Sequence, residues 1–286
     1  MRKGIVMAFE EVVYAKYGEH EIMMDVQLPE GGEGPYPAVL FIHGGGWQAC
    51  SRVDDRRFLD VITNAGCAIF NIDYRLSTIA PFPAQLQDCK AAVRFVRANA
   101  KRFNIDPNRV GVFGGSAGGH LALMTGMTGG MSEYTYGDVT VDFVGDNAQN
   151  LDQPDDVQAI VAYFPPTDVA AWSTAVPSML TEVHIARERF LGGPAEDNVE
   201  LCRIASPVTY LRPNLPPIML GHGPRDNCVG FSHSWDFFEK LLDLKCDVQM
   251  LVSGDILEPD VFEHAAMSPI HDIAAAAFMA AMPKRG

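Results

Sequence analysis

Positive charge is scarce in this chain of 286 residues. Lys and Arg together number 22 against 36 Asp and Glu, a formal net charge of −14. Nucleic acids and anionic membrane surfaces are held by basic patches, so this balance argues against both as partners. It also disfavours polyanionic substrates; a neutral or cationic substrate is easier to place. Cysteine is sparse and unpatterned. Cys50, Cys67, Cys89, Cys202, Cys228 and Cys246 form no C-x-x-C pair and show no metal-like spacing, so they read as free thiols in apolar or helical runs. No apolar run reaches the roughly 18 residues of a membrane span. The apolar stretch within Met1–Phe9 is too short for a secretory leader. There is no internal repeat and no low-complexity tract. The expectation is a cytoplasmic protein without nucleic acid or membrane partners, with a homo-oligomer left open.

What is present is an ordinary globular balance, 48% hydrophobic and 20% charged residues. The length exceeds a typical domain, yet α/β folds often reach it as one unit, so residues 1–286 are expected to form a single domain. Two strands open the chain, Phe9–Tyr14 and the alternating Glu21–Leu28. Continuous apolar runs at Ala38–Ile42, Cys67–Ile72 and Arg109–Phe113 suit strands buried on both faces. Later strands are expected at Val157–Tyr163, Pro217–Gly221 and Asp247–Val252. Helical spacing marks Asp55–Ala65, Ala84–Phe103, Ser234–Leu244 and Pro269–Met282, and a helix-like run begins at His120. Strands alternating with helices imply a mostly parallel sheet covered on both faces, with ligands at the C-terminal strand ends. Two stretches break the alternation, 128–156 and 167–206. Both follow strand ends, so each either walls a substrate pocket as a small cap-like insertion or decorates the surface.

The most informative stretch is Gly114-Gly115-Ser116-Ala117-Gly118, a G-x-S-x-G between an apolar strand and a helix. Such a turn is so tight that its central residue is strained, and glycines on either side avoid a Cβ clash. The strain lifts the Ser116 hydroxyl clear of the backbone; the plain alternative is a glycine-rich turn holding an ordinary serine. A second tract, His43-Gly44-Gly45-Gly46-Trp47, ends the Ala38–Ile42 strand. Its amides, with that of Ala117, could hold a developing oxyanion, and we expect Gly45, Gly46 and Ala117 as donors. Gly44 to Ala49 also fits the dinucleotide outline G-x-G-x-x-A, with Asp73 closing the next strand. The following helix, however, starts only near Asp54–Arg56, too late to place its N-terminus at the glycines.

With an elbow serine the chain order is Ser, acid, His. The acid is expected at Asp226, after the Pro217–Gly221 strand, with Asp255 and Asp260 as fallbacks; a turn-forming role is the bland reading of Asp226. The base is expected at His264, between the last strand and last helix, with His271 as the alternative. His43 is read as a prop for the glycine tract, His120 as opening the elbow helix and His222 as ending a strand. His20, His184 and His233 carry no site signal. No histidine pair is spaced with a carboxylate as metal ligands would be, so no metal and no cofactor is expected.

These motifs resemble the α/β-hydrolase superfamily, in particular hormone-sensitive-lipase-like and acetyl xylan or feruloyl carbohydrate esterases. The carrying residues are His43–Trp47, Asp73-Tyr74-Arg75-Leu76 and Phe82-Pro83-Ala84 with Asp88. Asn104-Ile105-Asp106-Pro107, Gly114–Ala122, Ser206-Pro207 and His222-Gly223 with Asp226 complete the set. The resemblance runs from about Ala38 to the C-terminus and implies the α/β-hydrolase fold, with Ser116, Asp226 and His264 at the triad positions. It makes Asp73, Tyr74 and Arg75 framework residues. Two departures stand out. The short Gly-x-x-His turn becomes Gly254 with nine residues before His264, and the usual Val-Pro after the acid is Cys228-Val229. The implied function is a serine carboxylic-ester hydrolase for short acyl groups, such as acetyl on a glycan. Kynurenine formamidases resemble the pattern too, so an amidase or formamidase stays open. A dinucleotide-binding oxidoreductase and a catalytically inert binding protein remain the readings from other classes.

Overall fold

The computed structural model describes residues 9–54, 56–145, 148–172, 180–253, 267 and 269–286. Its strands are β1 (Glu10–Tyr17), β2 (His20–Gln27), β3 (Tyr36–Ile42), β4 (Ala68–Ile72) and β5 (Ile105–Gly115). They continue with β6 (Glu133–Tyr136), β7 (Val139–Asp142), β8 (Ala159–Tyr163), β9 (Ile218–His222) and β10 (Val248–Val252). The α-helices are α1 (Arg57–Asn64), α2 (Ala84–Ala98), α3 (Ala117–Met127), α4 (Leu180–Leu191), α5 (Val199–Ile204), α6 (Ser232–Asp243) and α7 (Pro269–Ala280).

Eight strands form one sheet in the order β1-β2-β4-β3-β5-β8-β9-β10. β1 and β2 pair antiparallel, β2 joins β4 antiparallel, and every later neighbour is parallel. The central strands bury both faces. Leu40 and Ile42 of β3 face the layer built on Leu86, Val93 and Leu121, while Val39 and Phe41 face Ile62, Ala275 and Met279. Helices α2 and α3 thus cover one face, α1 and α7 the other. This is the mostly parallel, doubly covered sheet that the periodicity implied.

Element boundaries moved where local and tertiary demands differ. The α2 helix ends at Ala98, short of Phe103, and β5 begins at Ile105, before Pro107. Proline cannot donate to a ladder, and the pairing accommodates it with a register shift between Tyr36↔Ile105 and Ala38↔Val110.

The stretch at 128–156 holds a hairpin, β6 with β7, that forms its own two-stranded sheet. It packs on the chain after α5, where Tyr134 meets Tyr210 edge-on at 5.0 Å. Buried charge anchors the same stretch to α2. The Lys90 ammonium, fully buried, donates to Thr128 O at 2.8 Å and pairs with Asp155 at 3.0 Å. Arg94 reaches the same carboxylate at 3.3 Å, and Gly130 N donates to its other oxygen at 2.7 Å. Burial lowers the Lys90 pKa, and the Asp155 charge opposes that change.

Candidate active site

Ser116 sits between β5 and α3 with φ 56° and ψ −122°, a combination that side chains avoid and that marks local strain. Its backbone is held on both sides: its N–H donates to Tyr163 O at 2.9 Å, and its carbonyl accepts the His120 N–H at 2.9 Å. The residue is half-buried. Such a bend exists because α3 presses onto the end of β3. A Cβ on Gly118 would lie 2.6 Å from His43 O and closer still to Ile42 O, so no larger residue fits there.

The glycine tract lies directly on this turn. A Cβ on Gly44 would stand 3.1 Å from Gly115 O and 3.5 Å from Ser116 Cβ. Gly45, Gly46 and Trp47 all have positive φ, at 102°, 58° and 58°. The Gly45 carbonyl accepts the N–H groups of Gln48 and Ala49 at 3.1 and 3.0 Å, which closes the loop. Among the described residues the Gly45 and Gly46 amides have no backbone or side-chain acceptor. His43 props the tract as expected: its Nδ1 lies 2.7 Å from Gly44 O and its ring stacks on Tyr74 at 4.3 Å. The Tyr74 hydroxyl donates to His43 O at 3.2 Å.

Trp47, fully buried, is the hub behind the loop. Its ring stacks on Phe190 of α4 at 4.2 Å, and its indole N–H donates to His120 Nδ1 at 3.2 Å. Because Nδ1 accepts, the His120 proton sits on Nε2, which donates to Ala205 O at 2.7 Å. Burial lowers the pKa of this imidazole to about 4, so it is neutral. Helix α4 reaches the loop elsewhere too. Arg189 donates to Gln48 Oε1 at 2.6 Å, and a Cβ on Gly46 would lie 3.4 Å from Ala186 Cβ. Part of the 167–206 stretch therefore walls the glycine tract.

Asp226 follows β9, and β3, β5, β8 and β9 run parallel, so its loop shares the sheet edge of Ser116. Its carboxylate is 2% exposed, so a bare charge there would be costly. Oδ1 accepts the amides of Cys228 and Val229, each at 2.8 Å. The departure from Val-Pro thus adds one donor, the Val229 N–H, which a proline there would lack. Oδ2 stands 3.4 Å from His222 Nε2, whose ring is fixed by Val229 O at 3.0 Å and Ser234 Oγ at 2.7 Å. Sequence reading saw His222 only as the end of a strand. Its position four residues before Asp226 was the available signal for a carboxylate neighbour. Beside this loop, burial first and the Asp226 charge second push the Cys228 thiol up to about 11.

His264, Asp255 and Asp260 lie outside the described residues. His271 falls in the first turn of α7, and its carbonyl accepts the Tyr163 hydroxyl at 2.8 Å. His233 is buried beneath Thr167, whose N–H donates to its Nδ1 at 3.3 Å; burial lowers its pKa to about 4. The dinucleotide outline does not hold. The next helix starts at Arg57, well beyond the glycines, and Asp73 is engaged by the Arg52 guanidinium at 2.6 Å and the Arg52 N–H at 2.8 Å. Among the described residues no cluster of three or more His, Cys, Asp or Glu could hold a metal ion. No described helix is long and apolar enough to cross a membrane.

A family model, BD-FAE, matches residues 24–241, most of the chain. The chain belongs to the BD-FAE family. Its sheet is that of the α/β-hydrolases, with the serine turn and glycine tract at the C-terminal strand ends. Among curated proteins it is similar to Esterase LipC of Mycobacterium tuberculosis, 29% identical over 210 residues. That match covers 72% of this chain and 48% of the relative, so the chain spans about half the length of that protein. Among solved structures it is similar to a truncated carbohydrate esterase from gut microbiota, with TM-score 0.82 and 27% identity, covering 94% of this chain and 93% of the other. It is also similar to a bifunctional GH43-CE protein of Bacteroides eggerthii, with TM-score 0.81 and 29% identity. There the match covers 94% of this chain and 37% of the other.

Proposed function

We propose that this BD-FAE protein is a serine carboxylic-ester hydrolase acting on short acyl esters, with acetyl groups on oligosaccharides as the substrate class. The observation that carries the reading is the strained, half-buried Ser116 with the Gly44–Gly46 tract against it. In this mechanism His264 takes the proton from Ser116 Oγ as that oxygen attacks the ester carbonyl. Asp226, already oriented by two amides, holds the imidazole tautomer and balances its charge. The amides of Gly45, Gly46 and Ala117 stabilise the tetrahedral oxyanion, one such donor being worth about 3 kcal/mol of barrier. The imidazolium protonates the departing alkoxide, and water, activated by the same base, hydrolyses the acyl-enzyme. The short acyl preference rests on the resemblance of the motifs to acetyl xylan esterases. A carbohydrate alcohol is supported by what the two solved neighbours are called.

Ser116→Ala should lose hydrolysis of p-nitrophenyl acetate and labelling by a fluorophosphonate while keeping its circular dichroism; retained turnover refutes the serine mechanism. His264→Ala should lose activity while His271→Ala keeps it, and the reverse pattern reassigns the base. Rates on acetylated oligosaccharides compared with N-formylkynurenine separate the ester from the formamide reading.

A further inference from the structure

Oxyanion donors act only if they are fixed before the reaction begins, and a run of three glycines is the most pliable backbone available. The fold must therefore hold the tract from outside. His43 and Tyr74 grip its first residues. At the other end the chain enters Trp47 with φ 58°, in the left-handed region that a bulky residue adopts only under tertiary constraint. That constraint has two parts. Stacking on Phe190 fixes the plane of the indole, with an interplanar angle of 16°. The hydrogen bond from the indole N–H to His120 Nδ1 fixes its rotation. His120 lies four residues after Ser116, and its own N–H closes the first turn of α3 onto the Ser116 carbonyl. A single buried imidazole therefore touches both halves of the candidate machinery, the serine turn through its backbone and the glycine tract through its ring. Its far nitrogen donates to Ala205 O, which ties the pair to the segment after α5. The ring can accept from Trp47 and donate to Ala205 only as the neutral Nε2–H tautomer, and its burial favours the neutral form.

We propose that Trp47 and His120 are a positioning pair that sets the Gly45 and Gly46 amides toward the carbonyl-derived oxyanion of the intermediate formed on Ser116, through the Nε1–H···Nδ1 hydrogen bond. The proposal rests on the hydrolase reading above and deepens it. Neither side chain touches the reacting atoms. Their effect is confined to transition-state stabilisation, because a displaced donor weakens the oxyanion more than the neutral substrate carbonyl.

The test compares wild type with Trp47→Phe, which keeps a ring on Phe190 but loses the N–H. Two variants at the partner position complete the set: His120→Leu removes both polar contacts, and His120→Gln keeps an amide oxygen to accept and an amide nitrogen to donate. With p-nitrophenyl acetate, Trp47→Phe is expected to lower kcat about tenfold or more while KM stays within about twofold. Fluorophosphonate labelling should slow in step, since the phosphonyl oxygen uses the same amides. His120→Gln should recover most of the kcat lost in His120→Leu, with both variants showing wild-type circular dichroism. Full kcat in Trp47→Phe, or a change confined to KM, overturns the pair. If His120→Leu fails to fold, Trp47→Phe and His120→Gln still decide the question. A wild-type protein that neither turns over esters nor takes the fluorophosphonate instead overturns the hydrolase reading, an outcome distinct from an active enzyme indifferent to Trp47.

Discussion

The carboxylate of Asp226 shows how much one residue's role depends on what its oxygens already hold. Oδ1 is committed to two amides, so only the face bearing Oδ2 can serve a catalytic imidazole. Asp226→Asn would keep the shape but place an amide where a negative acceptor is needed, favouring the wrong tautomer of the base. We expect kcat on p-nitrophenyl acetate to fall by about three orders of magnitude with little change in thermal unfolding. A loss below about tenfold would remove Asp226 from the proposed triad. Residues of this kind were partly legible in the sequence. Ser116 and the glycine tract announce themselves because their backbone demands are local and only glycine meets them. Asp226 needed the chain order of the whole fold. The contact of Trp47 with His120, 73 residues apart, needed the sheet itself.

At the scale of elements, the site depends on how closely α3 approaches β3. That separation is set by Gly118, where a methyl group would collide with the carbonyls of Ile42, at the end of β3, and His43, just beyond it. Gly118→Ala should therefore cost roughly 3 kcal/mol or more, seen as a fall in Tm of about 5–10 °C. An unchanged Tm would mean that the helix can shift without penalty. The buried strands were readable because runs such as Ala38–Ile42 are apolar at every position, and all five of these residues are nearly inaccessible. The hairpin of β6 and β7 was not recognised. Its strands have four residues each and little apolar content, so its stability comes from packing beside α5 rather than from its own pattern. Nothing in the sequence of α4 announced that Ala186, Arg189 and Phe190 meet the loop of the glycine tract.

For the molecule as a whole, two buried imidazoles set an acid limit on stability. His120 and His233 have folded pKa values of about 4, lowered mainly by burial, against about 6.5 for an unfolded histidine. Above pH 6.5 both states are neutral and the pair contributes no pH dependence. Between 6.5 and 4 the unfolded chain binds protons that the folded one refuses, so stability falls with pH, by about 3 kcal/mol per histidine once the interval is crossed. Urea midpoints should therefore decline from pH 7 to pH 5, before most carboxylates titrate, and His233→Gln should flatten that slope. A midpoint constant across this range would contradict neutral burial.

The cations of α2 carry a longer consequence. Lys90 and Arg94 are tolerable inside the protein because Asp155 and the carbonyl of Thr128 come back to meet them. A variant engineered without the excursion between α3 and β8 would strand an ammonium and a guanidinium in a dry layer. Shortening that loop therefore demands simultaneous neutral replacements on a helix distant in sequence, and the positions should be inherited or discarded as a set.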